Sequence, residues 1–279
     1  MRYFLPIIIL CLLCFTACNS KQKQADEKPV LTVTIEPLRF FTQAIAGDKY
    51  KVVSMVPAGS NPETYDPTPQ QLIALSQSAA YLRIGYIGFE QAWMERIKTN
   101  VPNMLVFDAS KNVELMQGHS HESKVALEPH STRNARVIAG NICRALCELD
   151  TVHTSYYQAR LDSVMLCIDR TDQSIKALLP QADSAFLIYH PALTYFARDY
   201  GLTQICIEEE GKEPSPAQLQ QLIRKARNAG VRIIFVQQEF YTRNAQVIAK
   251  ELGAQTVSIN PLSYEWEKEM VGVAQALVK

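Results

Sequence analysis

The 279-residue chain carries no excess charge of either sign: 28 Lys and Arg stand against 28 Asp and Glu. A nucleic-acid binder concentrates basic charge against phosphate, and nothing of that kind is visible here. No apolar run reaches the roughly 20 residues that a membrane-spanning helix requires. Beyond the first 17 residues there is no Cys-x-x-Cys pair, which argues against a compact zinc finger. No His-Glu-x-x-His helix and no Gly-x-Ser-x-Gly turn occurs, so the common signatures of zinc peptidases and serine hydrolases are missing. Histidine is scarce, with five residues in all. What is present, 47% apolar and 20% charged residues, is ordinary globular composition and excludes wholesale disorder.

The amino terminus reads as a secretory signal peptide. Arg2 is followed by PIIILCLLCF and then by small residues before Cys18. Phe15-Thr16-Ala17-Cys18 resembles a bacterial lipobox, with Phe15 where Leu is usual. On that reading residues 1–17 are removed and Cys18 carries a lipid; the alternative is ordinary cleavage near Ala17. Residues 18–29 then form a polar tether. Acyl chains at Cys18 would hold the soluble body at the membrane, on its periplasmic side or at the cell surface, at about 0.8 kcal/mol per buried methylene. An exported compartment permits disulfides, but spacing assigns none among Cys143, Cys147, Cys167 and Cys206. The pair four apart, Cys143 and Cys147, reads as part of a packed helical face.

Along the chain, short apolar strands alternate with helical segments. Strands are expected at residues 31–35, 51–56, 81–84 and 104–107, with helices between them. The polar stretch 116–130 interrupts this pattern as a surface loop. A long helical region runs from about Asn134 to Leu179, with Gly140 and the Leu-Asp-Thr step at Asp150 as points that can divide it. A second set of strands is expected at 185–189, 204–207, 232–236 and 255–259. The fold class is therefore α/β with parallel-type sheets. The organisation is an N-terminal lobe over 30–130, a linking helical region over 131–180 and a C-terminal lobe over 181–279. No repeat with matching motifs is visible.

Ligands of open α/β sheets bind beyond the carboxyl ends of the strands, and two lobes place a site in the cleft between them. Five residues follow strands or close a loop there. Glu63 lies in the stiff loop PAGSNPETYDPTP, before a helix whose expected cap is Thr68; it is a hard oxygen donor or a solvated carboxylate. His190 follows the apolar run FLIY and precedes Pro191, which suits the first turn of a helix. A helix N-terminus there would favour neutral imidazole, the form a metal needs; the plain reading is a hydrogen-bonded structural histidine. His130 ends the central loop and precedes Ser131, an expected N-cap. Asn260 offers a carbonyl oxygen or opens an Asx-type turn. Glu239 is a further strand-end carboxylate.

At these residues the chain resembles the zinc/manganese-binding proteins of bacterial ABC importers. The segment FLIYHPALTYFARDYGLTQICIEEEGKEPSPAQLQQLI carries that family's His-Pro-Ala step, its Tyr-Gly-Leu step and its Glu-Pro-Ser-Pro turn. ARNAGVRIIFVQQEFYTRNAQVIAKELGAQTVSINPL follows the family's closing pattern. The resemblance implies two α/β lobes joined by one long rigid helix, with a metal site between them fed by four loops. It departs in two places: Glu63 replaces the usual first histidine, and Asn260 replaces the usual terminal Asp. Its spacer before Asn134 is short, so His130 aligns as the second ligand only with a three-residue deletion. An ungapped alignment would set Leu127 there, and leucine cannot coordinate.

The implied donors are Glu63, His130 and His190, completed by Asn260, Glu239 or water. Two imidazoles and a carboxylate suit Zn²⁺, and further oxygens also suit Mn²⁺. His119 and His121, in the polar loop, are weak capture residues or solvated side chains. The expected function is capture of a divalent metal by a monomeric binding protein that delivers it to an ABC permease, with affinity falling as histidines protonate. Two other readings stand beside it. One is a zinc hydrolase with Glu63 or Glu239 as general base; the other is a divergent surface adhesion or docking module without metal.

Overall fold

The computed structural model describes residues 28–116, 130–208, 212–237 and 243–278. The first lobe holds strands β1 (Val30–Val33), β2 (Lys51–Ser54), β3 (Ala80–Arg83) and β4 (Leu105–Asp108). They alternate with helices α1 (Glu36–Ala46), α2 (Pro69–Ser76) and α3 (Gly88–Asn100). All pairings are parallel and the strand order is β2-β1-β3-β4. Helix α4 (Thr132–Leu149), a 3-10 turn (Thr151–His153) and helix α5 (Thr154–Leu178) follow. The second lobe holds β5 (Ala185–Ile188), β6 (Thr203–Cys206), β7 (Ile233–Gln237) and β8 (Gln255–Ile259). Its helices are α6 (Thr194–Tyr200), α7 (Pro216–Asn228), α8 (Arg243–Leu252) and α9 (Trp266–Ala276). Here the order is β6-β5-β7-β8, again all parallel.

The two lobes thus share one strand order although no sequence motif repeats. In each, the chain winds outward in opposite directions from two central strands. The crevice at their carboxyl ends, between β1 and β3 and between β5 and β7, is where a doubly wound sheet receives a ligand. The central strands of the second lobe, β5 and β7, are buried throughout. That is the signature of a parallel sheet covered on both faces.

The helical region departs from a single continuous rod. It is divided at Asp150, as the Leu-Asp-Thr step allows. The Asp150 carboxylate accepts from Tyr157 Oη at 2.7 Å and pairs with His153 Nδ1 at 2.7 Å. Side-chain bonding of this kind competes with helix continuation. Helices α4 and α5 pack on each other, and α5, about 38 Å long at the helical rise, also packs on α1 of the first lobe and α9 of the second. One apolar core runs through all three parts: it includes Leu31 and Phe41, Ile142 and Ile168, and Phe235 and Trp266. A second cluster, around Leu187, Ile234 and Ile248, lies within the C-terminal lobe.

An aromatic seam pins the lobes. Phe40 on α1 stacks at 6.3 Å on Trp266, the first residue of α9, and meets Tyr264 edge-on at 5.8 Å. The guanidinium of Arg39 lies 4.1 Å from the centre of the Tyr264 ring. Among the described residues no helix is long and apolar enough to cross a membrane. Residues 1–17, Cys18, His119, His121, Leu127 and Glu239 lie outside the described residues.

Candidate metal centre

His190 follows β5, at the centre of the second sheet. Its backbone is fixed from both sides by one side chain: Gln237 Nε2, at the end of β7, donates to His190 O at 2.9 Å, and His190 N donates to Gln237 Oε1 at 3.4 Å. Its ring Nδ1 pairs with the carboxylate of Glu208, which is 8% exposed and follows β6. The expectation of a helix N-terminus beside this ring is corrected. Helix α6 begins only at Thr194, because Pro191, Ala192 and Leu193 remain outside it. The ring's neighbour is an acid. Sequence reasoning missed Glu208; its place two residues beyond the end of β6 is the signal that identifies it. A carboxylate on one imidazole nitrogen fixes the tautomer and leaves the other nitrogen as the donor to a metal.

His130 precedes Ser131, the N-cap of α4, and is 1% exposed. Its Nδ1 has no hydrogen-bond partner among the described residues. Burial alone pulls its pKa down to about 4, so the ring is neutral and ready to act as a Lewis base. Ser131 is the N-cap of α4, accepting from Asn134 N at 2.9 Å. Its hydroxyl donates to Asp199, while Arg198 reaches Asn134 Oδ1 at 3.2 Å. The adjoining Thr132 and Tyr200 hydroxyls share a 3.1 Å hydrogen bond. The last turn of α6 therefore grips the residues just after His130, while His190 stands just before the first turn of that same helix.

Glu63 is held by a close approach. Its Oε2 accepts the Gly88 N–H at 2.8 Å, at the first residue of α3. A Cβ at position 88 would lie 2.2 Å from Glu63 O. A carboxylate at this helix start is stabilised by the unpaired N–H groups there. Asn260 adopts the Asx arrangement: its Oδ1 accepts from Leu262 N at 3.1 Å, and its own N–H is taken by Glu269 at 2.7 Å. Its loop leads into the interlobe aromatic seam at Tyr264.

A second carboxylate, unmarked in the sequence, occupies the crevice of the first lobe. Glu90 is 3% exposed. It accepts from Ile84 N at 2.9 Å, from Gly85 N at 2.7 Å and from the Thr34 hydroxyl. Burial raises its pKa more than these bonds lower it. It ties the carboxyl ends of β1 and β3 together.

Among the described residues, no group of three or more His, Cys, Asp or Glu side chains is gathered as a metal cage. The structure thus offers two imidazoles, one after β5 aligned by an acid and one before α4 buried with a nitrogen unsatisfied. It keeps Glu63 on the first lobe and Asn260 in its own turn.

The profile of the family described as zinc-uptake complex component A, periplasmic (ZnuA), matches residues 31–278. The chain belongs to this family. Its members are substrate-binding transport proteins and not enzymes, so the hydrolase reading is set aside. The high-affinity zinc uptake system protein ZnuA of Bacillus subtilis is 26% identical over 280 residues, 92% of this chain and 87% of the relative. The manganese ABC transporter substrate-binding lipoprotein PsaA of Streptococcus pneumoniae is 27% identical over 262 residues, 89% of this chain and 84% of the relative. A crystal structure of ZnuA superimposes with a TM-score of 0.83 at 36% identity, covering 89% of this chain and 97% of that one. Two parallel α/β lobes about a long central helix are thus the family fold. Family members named for zinc and for manganese both occur among the relatives.

Proposed function

We propose that this protein captures a divalent transition metal, zinc in the first instance, between its lobes and delivers it to an ABC permease. His130 and His190 supply the imidazoles and Glu63 the carboxylate. Asn260, Glu239 or water completes the shell, and a lipid on Cys18 holds the protein at the outer face of the membrane. The observation that carries this reading is His190, set at the crevice of the second sheet with its Nδ1 engaged by Glu208. That pairing orients the ring and fixes which of its nitrogens is turned toward a cation. His130 adds a second neutral imidazole at a buried position, where the absence of competing water strengthens coordination. Glu63 already uses one oxygen on Gly88, which leaves the other for the ion. Capture then needs the Glu63 loop and the two histidines to draw together by local loop movement. The aromatic seam and α5 keep the lobes from swinging widely.

The test is calorimetry of metal-stripped protein with Zn²⁺ and with Mn²⁺. One ion per chain is expected. His190→Ala and His130→Ala should each weaken it by at least about tenfold, or 1.4 kcal/mol. Tighter binding of Mn²⁺ than of Zn²⁺ would assign manganese instead. Unchanged binding by His190→Ala would overturn the assignment of the site. No binding of either ion would favour the adhesion or docking module.

A further inference from the structure

A second pair of metal-ligating side chains lies away from the histidines. Cys143 and Cys147 lie on one face of α4, toward the end opposite His130, about 20 Å along the helix axis from it at the helical rise. Their sulfurs are 4.0 Å apart, and both are free thiols. Cys143 is 5% exposed and sits in the main core; Cys147 is half-buried and packs against it. Helix α4 is regular through both positions.

Helical geometry decides what such a pair can do. Residues four apart keep their Cβ atoms about 5–6 Å apart. A disulfide needs about 3.5–4.5 Å between Cβ atoms, so closing the bond would require the helix to unwind. A metal ion makes no such demand. Two metal–sulfur bonds of about 2.3 Å span about 3.8 Å at a tetrahedral angle and about 4.6 Å when collinear; the observed 4.0 Å falls between these limits. The nearest oxygen to the sulfurs is the Thr154 carbonyl, 4.0 Å from Cys147 Sγ, while Asp162 and Arg144 lie close enough to act on Cys143 with opposite sign. A pair of soft donors with so few hard ones selects a soft ion of low coordination number.

We propose that Cys143 and Cys147 form a second metal site, specific for a soft monovalent d¹⁰ cation such as Cu(I) and separate from the interlobe cleft. Binding breaks two S–H bonds and forms two metal–sulfur bonds. Two protons leave to solvent and no electron is transferred. The Cys143 thiol is pushed up to about 12, by burial first and by Cys147 second. Only a strongly thiophilic ion displaces the Cys143 proton that burial holds in place. The adjacent Arg144 offsets the negative charge of the bis-thiolate complex.

The test uses the full chain, reduced and without oxygen, with serine replacing the other five of its seven cysteines. Cu(I) is supplied from a bicinchoninate-buffered stock. One Cu(I) per chain should be retained, with X-ray absorption showing two sulfur neighbours. Adding Cys147→Ser should lower retention at least tenfold with the helical circular dichroism unchanged, and adding His190→Ala should leave it intact. Cys147 is the half-exposed partner, so its variant carries the test even where Cys143→Ser disturbs folding. Equal retention by Cys147→Ser, copper bound by nitrogen or oxygen donors, or no uptake at all would overturn the proposal.

Discussion

At the scale of single residues, the carboxylates beside the candidate site do different work. Glu208 orients His190 and is not itself one of the expected donors. Replacing such a partner of a metal-binding histidine typically costs about 10–100-fold in affinity. Glu208→Gln should therefore weaken zinc binding within that range while leaving thermal stability nearly unchanged, as a chelator competition alongside a melting curve will show. Glu90 is a fold residue. It accepts from two backbone N–H groups and one hydroxyl, and Glu90→Gln puts a donor where one of these needs an acceptor. A loss of about 1–3 kcal/mol is expected in urea unfolding.

The Glu90 pKa is raised in the folded protein, chiefly by burial. Ionising this carboxyl therefore costs more in the fold than in water. The stability it contributes is complete below the ordinary value of 4.5 and is lost as pH rises through the folded pKa. The advantage of wild type over Glu90→Gln should accordingly be larger at pH 5 than at pH 8. An advantage that grows with pH would contradict the burial argument.

At the scale of elements, helix starts set the geometry of the site. Thr68 closes a capping box with Gln71 at the start of α2, and Ser215 does the same with Gln218 at α7. Removing one such hydroxyl costs about 1 kcal/mol, so Thr68→Ala should lower urea stability by that amount. The start of α3 is tighter. Gly88 has no room for a Cβ because Glu63 O would lie 2.2 Å from it. Gly88→Ala must push the Glu63 loop away, at about 1–3 kcal/mol for overpacking. The same displacement should weaken metal binding, which Thr68→Ala should not do. Comparing the two variants by calorimetry separates a helix-capping effect from a site effect.

At the scale of the whole molecule, the continuous core governs cooperativity. Phe41 of the first lobe, Ile168 of α5 and Trp266 of the second lobe belong to one buried cluster. The lobes should therefore unfold together, with fluorescence and circular dichroism giving coincident transitions. Trp266 is fully buried between Phe40 and Phe41. Trp266→Ala should cost about 3–5 kcal/mol and, by loosening the seam, should split the transition into two. Two separate transitions in the wild type would show that the seam does not couple the lobes.

The fold was readable in the sequence because strand and helix signals are local. Apolar runs such as Phe186–Ile188 and the caps at Thr68 and Ser131 act within a few residues, and the elements appear where those signals lie, whereas the helix that Pro191 signals starts only at Thr194. Position after a strand likewise marked His190, and position before a cap marked His130. What stayed hidden depends on residues distant in the chain. That Glu208 faces His190 follows from β5 and β6 being neighbours, and that Glu90 closes the first crevice follows from β1 pairing with β3. Glu63 meeting Gly88 is a contact between two loops, and the shared 2-1-3-4 strand order leaves no matching motif to read. The sequence alone determined which segments become strands and helices and which side chains can bind a cation, because propensity and donor chemistry are local properties. Only tertiary packing decided which acid turns toward which imidazole and which ring loses its water, because these depend on distances set by the whole core.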